Sequence, residues 1–177
     1  MQKKQERLAA FFHFCRVRQW VSMNPILSIK LPEVPSSPTL PFTRAEMKKI
    51  LAGCDEFPIK GIYGEGNRKR LKAMILLLRY TGLRIRDAVT ITQDRIQNGR
   101  VFLYTQKTGT PVHVPVPPVV TAALAEVTKI HDENVFWTGA GDPKSAVADW
   151  QRSFRRLLDI VGVKGHFHML RDTAAVE

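Results

Sequence analysis

The sequence predicts an α+β fold that is mostly helical, with one small antiparallel β-sheet, preceded by one helix of an incomplete N-terminal helical domain. Three observations predict it. Apolar residues recur at helical spacing through most of the chain, the pattern turns to alternation between about residues 95 and 116, and a proline-rich stretch sets the first helix apart. With 177 residues and 44% hydrophobic content, the chain can bury one sizeable core and a small second unit at one end.

Residues near 5 to 19 place Leu8, Phe11, Phe12, Cys15 and Val17 broadly on one helix face, with Arg7, His13, Arg16, Arg18 and Gln19 mostly away from it. The helix gives way at Ser22 and Asn24-Pro25, and SIKLPEVPSSPTLPFT follows with linker composition. A lone helix of this length cannot bury its stripe. Residues 1–25 therefore read as the last helix of a unit whose earlier part is absent, or as a helix docked on the main body.

The main body opens at Thr43, where TRAE has capping-box spacing; Met47, Ile50 and Leu51 form the inner face of the helix it starts, and Gly53 reads as its stop. GIYGEGNRKR is a polar loop. It leads into a central helix with Leu71, Met74, Ile75, Leu78 and Tyr80 at helical spacing, closed by Gly82. Arg84, Arg86 and Asp87 come directly after, so a helix is stopped beside a packed core and a charged cluster is aimed from its end.

A short helical stretch with Ala88, Val89 and Ile91 ends near Asp94. Asn98-Gly99 then marks one hairpin turn and Thr108-Gly109 a second, before the alternating Val112, Val114 and Val116. Lys107 thus sits at a turn. Pro117-Pro118 opens a helix with Val120, Ala123, Leu124, Val127 and Ile130 inward, and VFW at 135–137 reads as a short extended piece. From Ser145 runs the clearest amphipathic helix, with Val147, Trp150, Phe154, Leu157, Leu158 and Val161 on one side and Arg152, Arg155 and Arg156 largely on the other. That basic rail either lies along a phosphate backbone or keeps the protein soluble.

Lysine and arginine number 27 against 16 acidic residues, a formal charge of +11 that points to a polyanionic partner, nucleic acid first. No segment approaches the ~20 apolar residues of a spanning helix, and MQKKQER lacks a signal-peptide core. Membrane insertion is excluded on that ground. Cys15 and Cys54 are far apart and outside any CxxC spacing, which suits a reducing cytoplasm and small buried apolar roles.

In the last stretch, GHFHMLRDTAAVE, His168 and Arg171 share a helix face. The chain then ends at Glu177 in mid-helix by pattern, which reads as a truncation. Taken in order, TGLR at 81–84, a hairpin lysine at 107 within KTGT, and HMLRDT at 168–173 resemble the catalytic domain of a tyrosine recombinase of the phage-integrase family. The resemblance covers roughly residues 40–177. It makes residues 43–177 a catalytic domain incomplete at its C-terminus, residues 26–42 its linker, and residues 1–25 the closing helix of a core-binding, SAM-like domain.

What the resemblance implies is site-specific recombination. A tyrosine attacks a DNA phosphate, leaving a 3′-phosphotyrosine link and a 5′-hydroxyl, with no metal or cofactor. Without Mg²⁺, fixed guanidinium groups must meet the charge gathering on the phosphoryl oxygens. By this resemblance Arg84 and Arg171 are the clamps, and Lys107 is the general acid on a flexible hairpin. His168 assists at the phosphate, and Asp87 supports the site from behind. Arg86, Arg152, Arg155 and Arg156 are the expected DNA contacts, and the partners are double-stranded DNA and other recombinase subunits in a cytoplasmic, nucleoid-associated setting. Asp172 and Ala174 stand where many relatives have histidine and phenylalanine, and Ala174 is expected to leave a packing gap. The family's later histidine or tryptophan and its nucleophilic tyrosine fall beyond residue 177. Tyr63, Tyr80 and Tyr104 all precede HMLR and do not match that position.

Three other readings stay open at this point. A binding module would use the same basic surfaces with no chemistry. A metal hydrolase would use His166, His168 and Asp172, but no third histidine or paired carboxylate lies at ligand spacing nearby. An RNA-binding protein would need an aromatic strip, and Phe102 and Tyr104, alternating on a strand, are equally explained by sheet packing.

Overall fold

The computed structural model describes residues 2–29, 39–58, 66–127, 131 and 133–176. The chain divides into two units, Met1–Pro38 and Thr39–Glu177. In the first, helix α1 (Gln2–Val17) is followed by a 3₁₀ turn, Pro25–Ser28, that Asn24 caps by accepting from Ile26 N at 3.0 Å. The Asn24 amide also donates to Ala9 O at 2.9 Å, which folds the turn back along the helix. Of the predicted stripe only Cys15 is buried, while Leu8, Phe11 and Val17 face solvent. Most of the predicted linker, residues 30–38, lies outside the described residues.

The second unit holds α2 (Arg44–Glu56), α3 (Gly66–Thr81), α4 (Ile85–Val89), α5 (Pro118–Ala125), α6 (Pro143–Val161) and α7 (Phe167–Val176). A three-stranded antiparallel sheet, in the order β1 (Ile96–Gln97), β2 (Arg100–Tyr104), β3 (Pro111–Pro115), stands between α4 and α5 in the sequence. Helix α3 is the axis of the core. Its residues Leu71 and Ala73–Leu78 are buried, and α2, α5 and α7 pack around it while α6 packs on α2 and α4.

Local chemistry explains most of the boundaries. Thr43 Oγ1 accepts from Glu46 N at 3.2 Å and Glu46 Oε2 accepts from Thr43 N at 2.8 Å, so the predicted capping box forms. Those bonds to Thr43 hold the Glu46 carboxyl below its usual range. Asn98 and Gly99 both adopt positive φ, 50° and 68°, as the two-residue hairpin turn between β1 and β2 requires. Burial pushes the Cys54 thiol up to about 12, so this cysteine is packing rather than a nucleophile.

Gly53 does not stop α2, which continues to Glu56. It is buried inside the helix because an added Cβ would overlap Val161 Cγ1 of α6. The polar loop before α3 is shorter than expected: helix begins at Gly66, and Arg70 is buried with Nη2 donating to Phe136 O at 3.0 Å. Tyr80 does not pack inward. It is 36% exposed with the Arg79 guanidinium over its ring. On β2 the inward residues are Val101 and Leu103, whereas Phe102 and Tyr104 face out and pack on the sheet surface, Phe102 edge-on to Tyr104 at 5.5 Å and to His113 at 5.9 Å. Residues 135–137 form no strand; Asn134 bridges Thr92, and Val135 N donates to Ile91 O at 3.2 Å. Helix α5 ends at Ala125, and Ile130 lies outside the described residues. Among the described residues no helix is long and apolar enough to cross a membrane.

Candidate phosphate-binding site

Helix α3 ends where its backbone must reverse. Gly82 takes φ 61°, its amide closing on Leu78 O at 3.0 Å, and Leu83 plunges into the core at 3% exposure. Arg84 follows as the extended residue preceding α4, held between the buried Leu83 and the half-buried Ile85, which packs on the core. Helix α7 is anchored by Phe167, Leu170 and Thr173, all buried, which leaves His168 and Arg171 on its outer side. Arg171 lies directly beside the Gly82 turn: a Cβ placed on Gly82 would be 3.9 Å from Arg171 Cγ and 3.6 Å from Ala174 Cβ. Between Gly82 and Ala174 there is thus room for a methyl group at ordinary contact distance.

These two elements and α6 enclose a cleft of about 510 Å³. Arg84, Arg86, Arg155, His166, His168 and Arg171 line it, with Leu83, Phe154 and Phe167 beneath, and no carboxylate is among its described lining residues. Four guanidinium groups gathered without a counter-charge repel one another. An anion in the cleft removes that repulsion, and a phosphodiester offers oxygens that a guanidinium fork can bind in pairs. His168 is largely exposed, with Nε2 3.9 Å from Asp172 Oδ1, beyond hydrogen-bond distance.

The predicted basic rail on α6 divides. Arg155 faces this cleft, whereas Arg152 and Arg156 line a separate cleft with Arg70, Trp150 and Phe57. There Arg152 pairs with Asp149, and the Arg156 guanidinium lies over the Phe57 ring at 5.8 Å.

Lys107 is exposed on the β2–β3 turn and does not line the arginine cleft. Asp87, 4% exposed, accepts from Gln106 N at 3.0 Å through Oδ1, which ties the lysine turn to the helix that follows Arg84. Its Oδ2 has no hydrogen-bond partner among the described residues. Thr105 N and Gly109 N both bond within the turn, to Thr110 O and Thr105 O, which closes the hairpin on itself.

Sequence reasoning overlooked Thr173. Its hydroxyl accepts from Phe42 N at 2.9 Å and donates to Met169 O at 2.7 Å, joining α7 to the segment that leads into α2. The signal was available in the RDT triplet, since a threonine at i+3 from a core leucine points inward. Replacing Thr173 by valine is expected to cost about 1–3 kcal/mol, because the buried Phe42 N–H loses its acceptor while volume is unchanged. Urea unfolding of the variant measures it, and an unchanged midpoint would show the bond to be dispensable. Among the described residues no three histidine, cysteine or acidic side chains converge as metal ligands.

A model described as the phage integrase family matches residues 41–177. No curated protein sequence matches the chain. Among solved structures, the lambda integrase (75–356) dimer bound to a COC′ core site is similar at a TM-score of 0.74 and 17% identity, over 97% of this chain and 63% of that one. The integrase from mycobacterium phage Brujita is similar at 0.59 and 20%, over 97% of this chain and 55% of that one. XerA recombinase follows at 0.58 and 16%, over 97% and 66%. The chain therefore spans between about half and two thirds of the length of the structures it resembles.

Proposed function

The chain belongs to the phage integrase family, and on that premise we propose that it serves site-specific recombination of double-stranded DNA, holding the phosphate at which strands are broken and rejoined. The observation that carries this reading is the cleft in which Arg84, Arg86, Arg155 and Arg171 meet with two histidines and no acid. Arg84 and Arg171 clamp the non-bridging oxygens, and stay charged as negative charge grows on them. Lys107 protonates the departing 5′-oxygen from the β2–β3 turn, and His168 donates to the phosphate. Asp87 aligns the lysine turn with Arg84. Arg86, Arg152, Arg155 and Arg156 make the surrounding DNA contacts, with further subunits assembling on the DNA, as lambda integrase does as a dimer on a core site and as a tetramer on a Holliday junction.

Residues 1–25 act as the closing helix of a core-binding domain and residues 26–42 as its linker. The nucleophile is a tyrosine outside this chain's cleft. Tyr80 and Tyr104 lie elsewhere on the surface, and neither lines the cleft that holds the two clamps. On this reading the chain by itself binds DNA without cleaving it.

Two measurements test the reading. Duplex affinity should fall with salt at a log–log slope of about −3.6, roughly 150-fold between about 50 and 200 mM, if about four phosphates are neutralised. A flat salt dependence would remove the phosphate site. A suicide DNA substrate should give no covalent adduct with this chain alone; an adduct would place the nucleophile within it.

A further inference from the structure

The turn carrying Lys107 is held at more points than a hairpin needs. Thr105 N donates to Thr110 O at 2.9 Å and Gly109 N to Thr105 O at 2.8 Å, which closes the loop on itself. The hydroxyls of Thr105, Thr108 and Thr110 then stand in a row, each 2.8 Å from the next. These bonds fix the shape of the turn. They do not fix its place relative to the arginine cleft.

Among the described residues, the hydrogen bonds that leave the turn come from Gln106, and there are two. The backbone N–H donates to Asp87 Oδ1, and the side-chain amide donates to Thr90 Oγ1 at 2.6 Å. Thr90 passes the restraint on, because its hydroxyl donates to Arg86 O at 3.0 Å. Both anchor points belong to the short run from Arg84 to Thr90. One bond would let the turn swing about it; two, on either side of the Gln106 backbone, stop the swing.

We infer that Gln106 and Thr90 form a latch that keeps the Lys107 turn in register with Arg84, and that both are positioning residues for the phosphate chemistry proposed above, on which this inference rests. A lysine brings a point charge on a four-carbon stem, so the placement of its backbone decides how often the ammonium is within reach of one particular oxygen. A displacement of about 1 Å in such a group can cost up to ~10²-fold in rate. Glutamine suits the position because its amide donates while the backbone of the same residue is already engaged. Threonine suits position 90 because its hydroxyl accepts from Gln106 and donates onward at the same time.

The test uses the full chain with Thr90→Val, Thr90→Ser, Gln106→Met and Lys107→Ala. Amide hydrogen exchange over residues 105–110 should quicken by about five- to tenfold in Thr90→Val and Gln106→Met, the worth of one lost hydrogen bond, with α3 unaffected. Thr90→Ser, which keeps the hydroxyl, should exchange as the parent does. In duplex binding, Lys107→Ala should lower the log–log salt slope by about 0.9, and each latch variant by part of that. Adding Gln106→Met to Lys107→Ala should change nothing further, because Gln106 acts through the lysine. Unchanged exchange in the turn overturns the latch. An effect of Gln106→Met that adds to Lys107→Ala overturns its role in positioning the lysine. If Lys107→Ala and Arg84→Ala both leave duplex binding untouched, the phosphate reading is what has failed, and the exchange data still decide the latch.

Discussion

Replacing Arg171 by alanine is expected to lower strand cleavage, in a complete recombinase carrying this domain, by about 10²–10³-fold, with Arg84→Ala comparable. Each removes a fixed positive donor from the place where charge develops on phosphorus, and neighbouring Arg86 and Arg155 cannot move in without leaving their own backbone positions. Duplex binding should weaken only modestly, since it draws on charges spread over the surface. Lysine at either site should recover little, because a point charge replaces a planar fork. A suicide-substrate time course paired with a binding isotherm separates the two effects. If binding collapsed in proportion to cleavage, the arginines would be supports of the fold rather than clamps.

The second large effect is on stability. Phe154→Ala is expected to cost about 3–5 kcal/mol, a large share of the 5–15 kcal/mol typical of a domain. Phe154 stacks on Phe167 with ring centroids 4.2 Å apart and meets Phe42 edge-on at 6.3 Å, so one side chain joins α6, the start of α7 and the approach to α2. It also forms the cleft floor. Its loss should therefore loosen the seat of His168 and Arg171 before the rest of the core. Denaturant unfolding followed alongside exchange in α7 measures both, and Phe154→Leu, leaving a smaller void, should lose less. A midpoint unchanged in Phe154→Ala would contradict the packing described.

Periodicity makes α3 and α6 legible in the sequence because both bury a full stripe, and Asn98-Gly99 makes the first hairpin legible because few residues tolerate its backbone angles. Gly53 shows where such reading stops. A glycine that ends a helix and a glycine that admits another helix look alike until Val161 is seen against it. Tyr80 is two residues on from Leu78, about 200° around the helix, so it stands off the buried face of α3, with the Arg79 guanidinium over its ring. Along α6, spacing places Arg152, Arg155 and Arg156 in one arc. Which cleft each enters depends on what packs at either flank, and that is tertiary information. The latch on Lys107 is invisible for a related reason: Gln106 and Thr90 are common surface residues, and their meeting depends on how far α4 and the sheet approach.

One consequence of the sheet concerns its outer border. Val116 N bonds to Gly99 O and Thr105 N to Thr110 O, so by alternation the amides of residues 111, 113 and 115 point away from β2, toward the unpaired side of β3. Two of those three positions are proline, which has no N–H to offer. Only His113 can donate there. A stray strand meeting this rim finds one donor, the His113 N–H, beside its carbonyls, so the ladder it can form is incomplete and β3 is guarded against edge-to-edge aggregation.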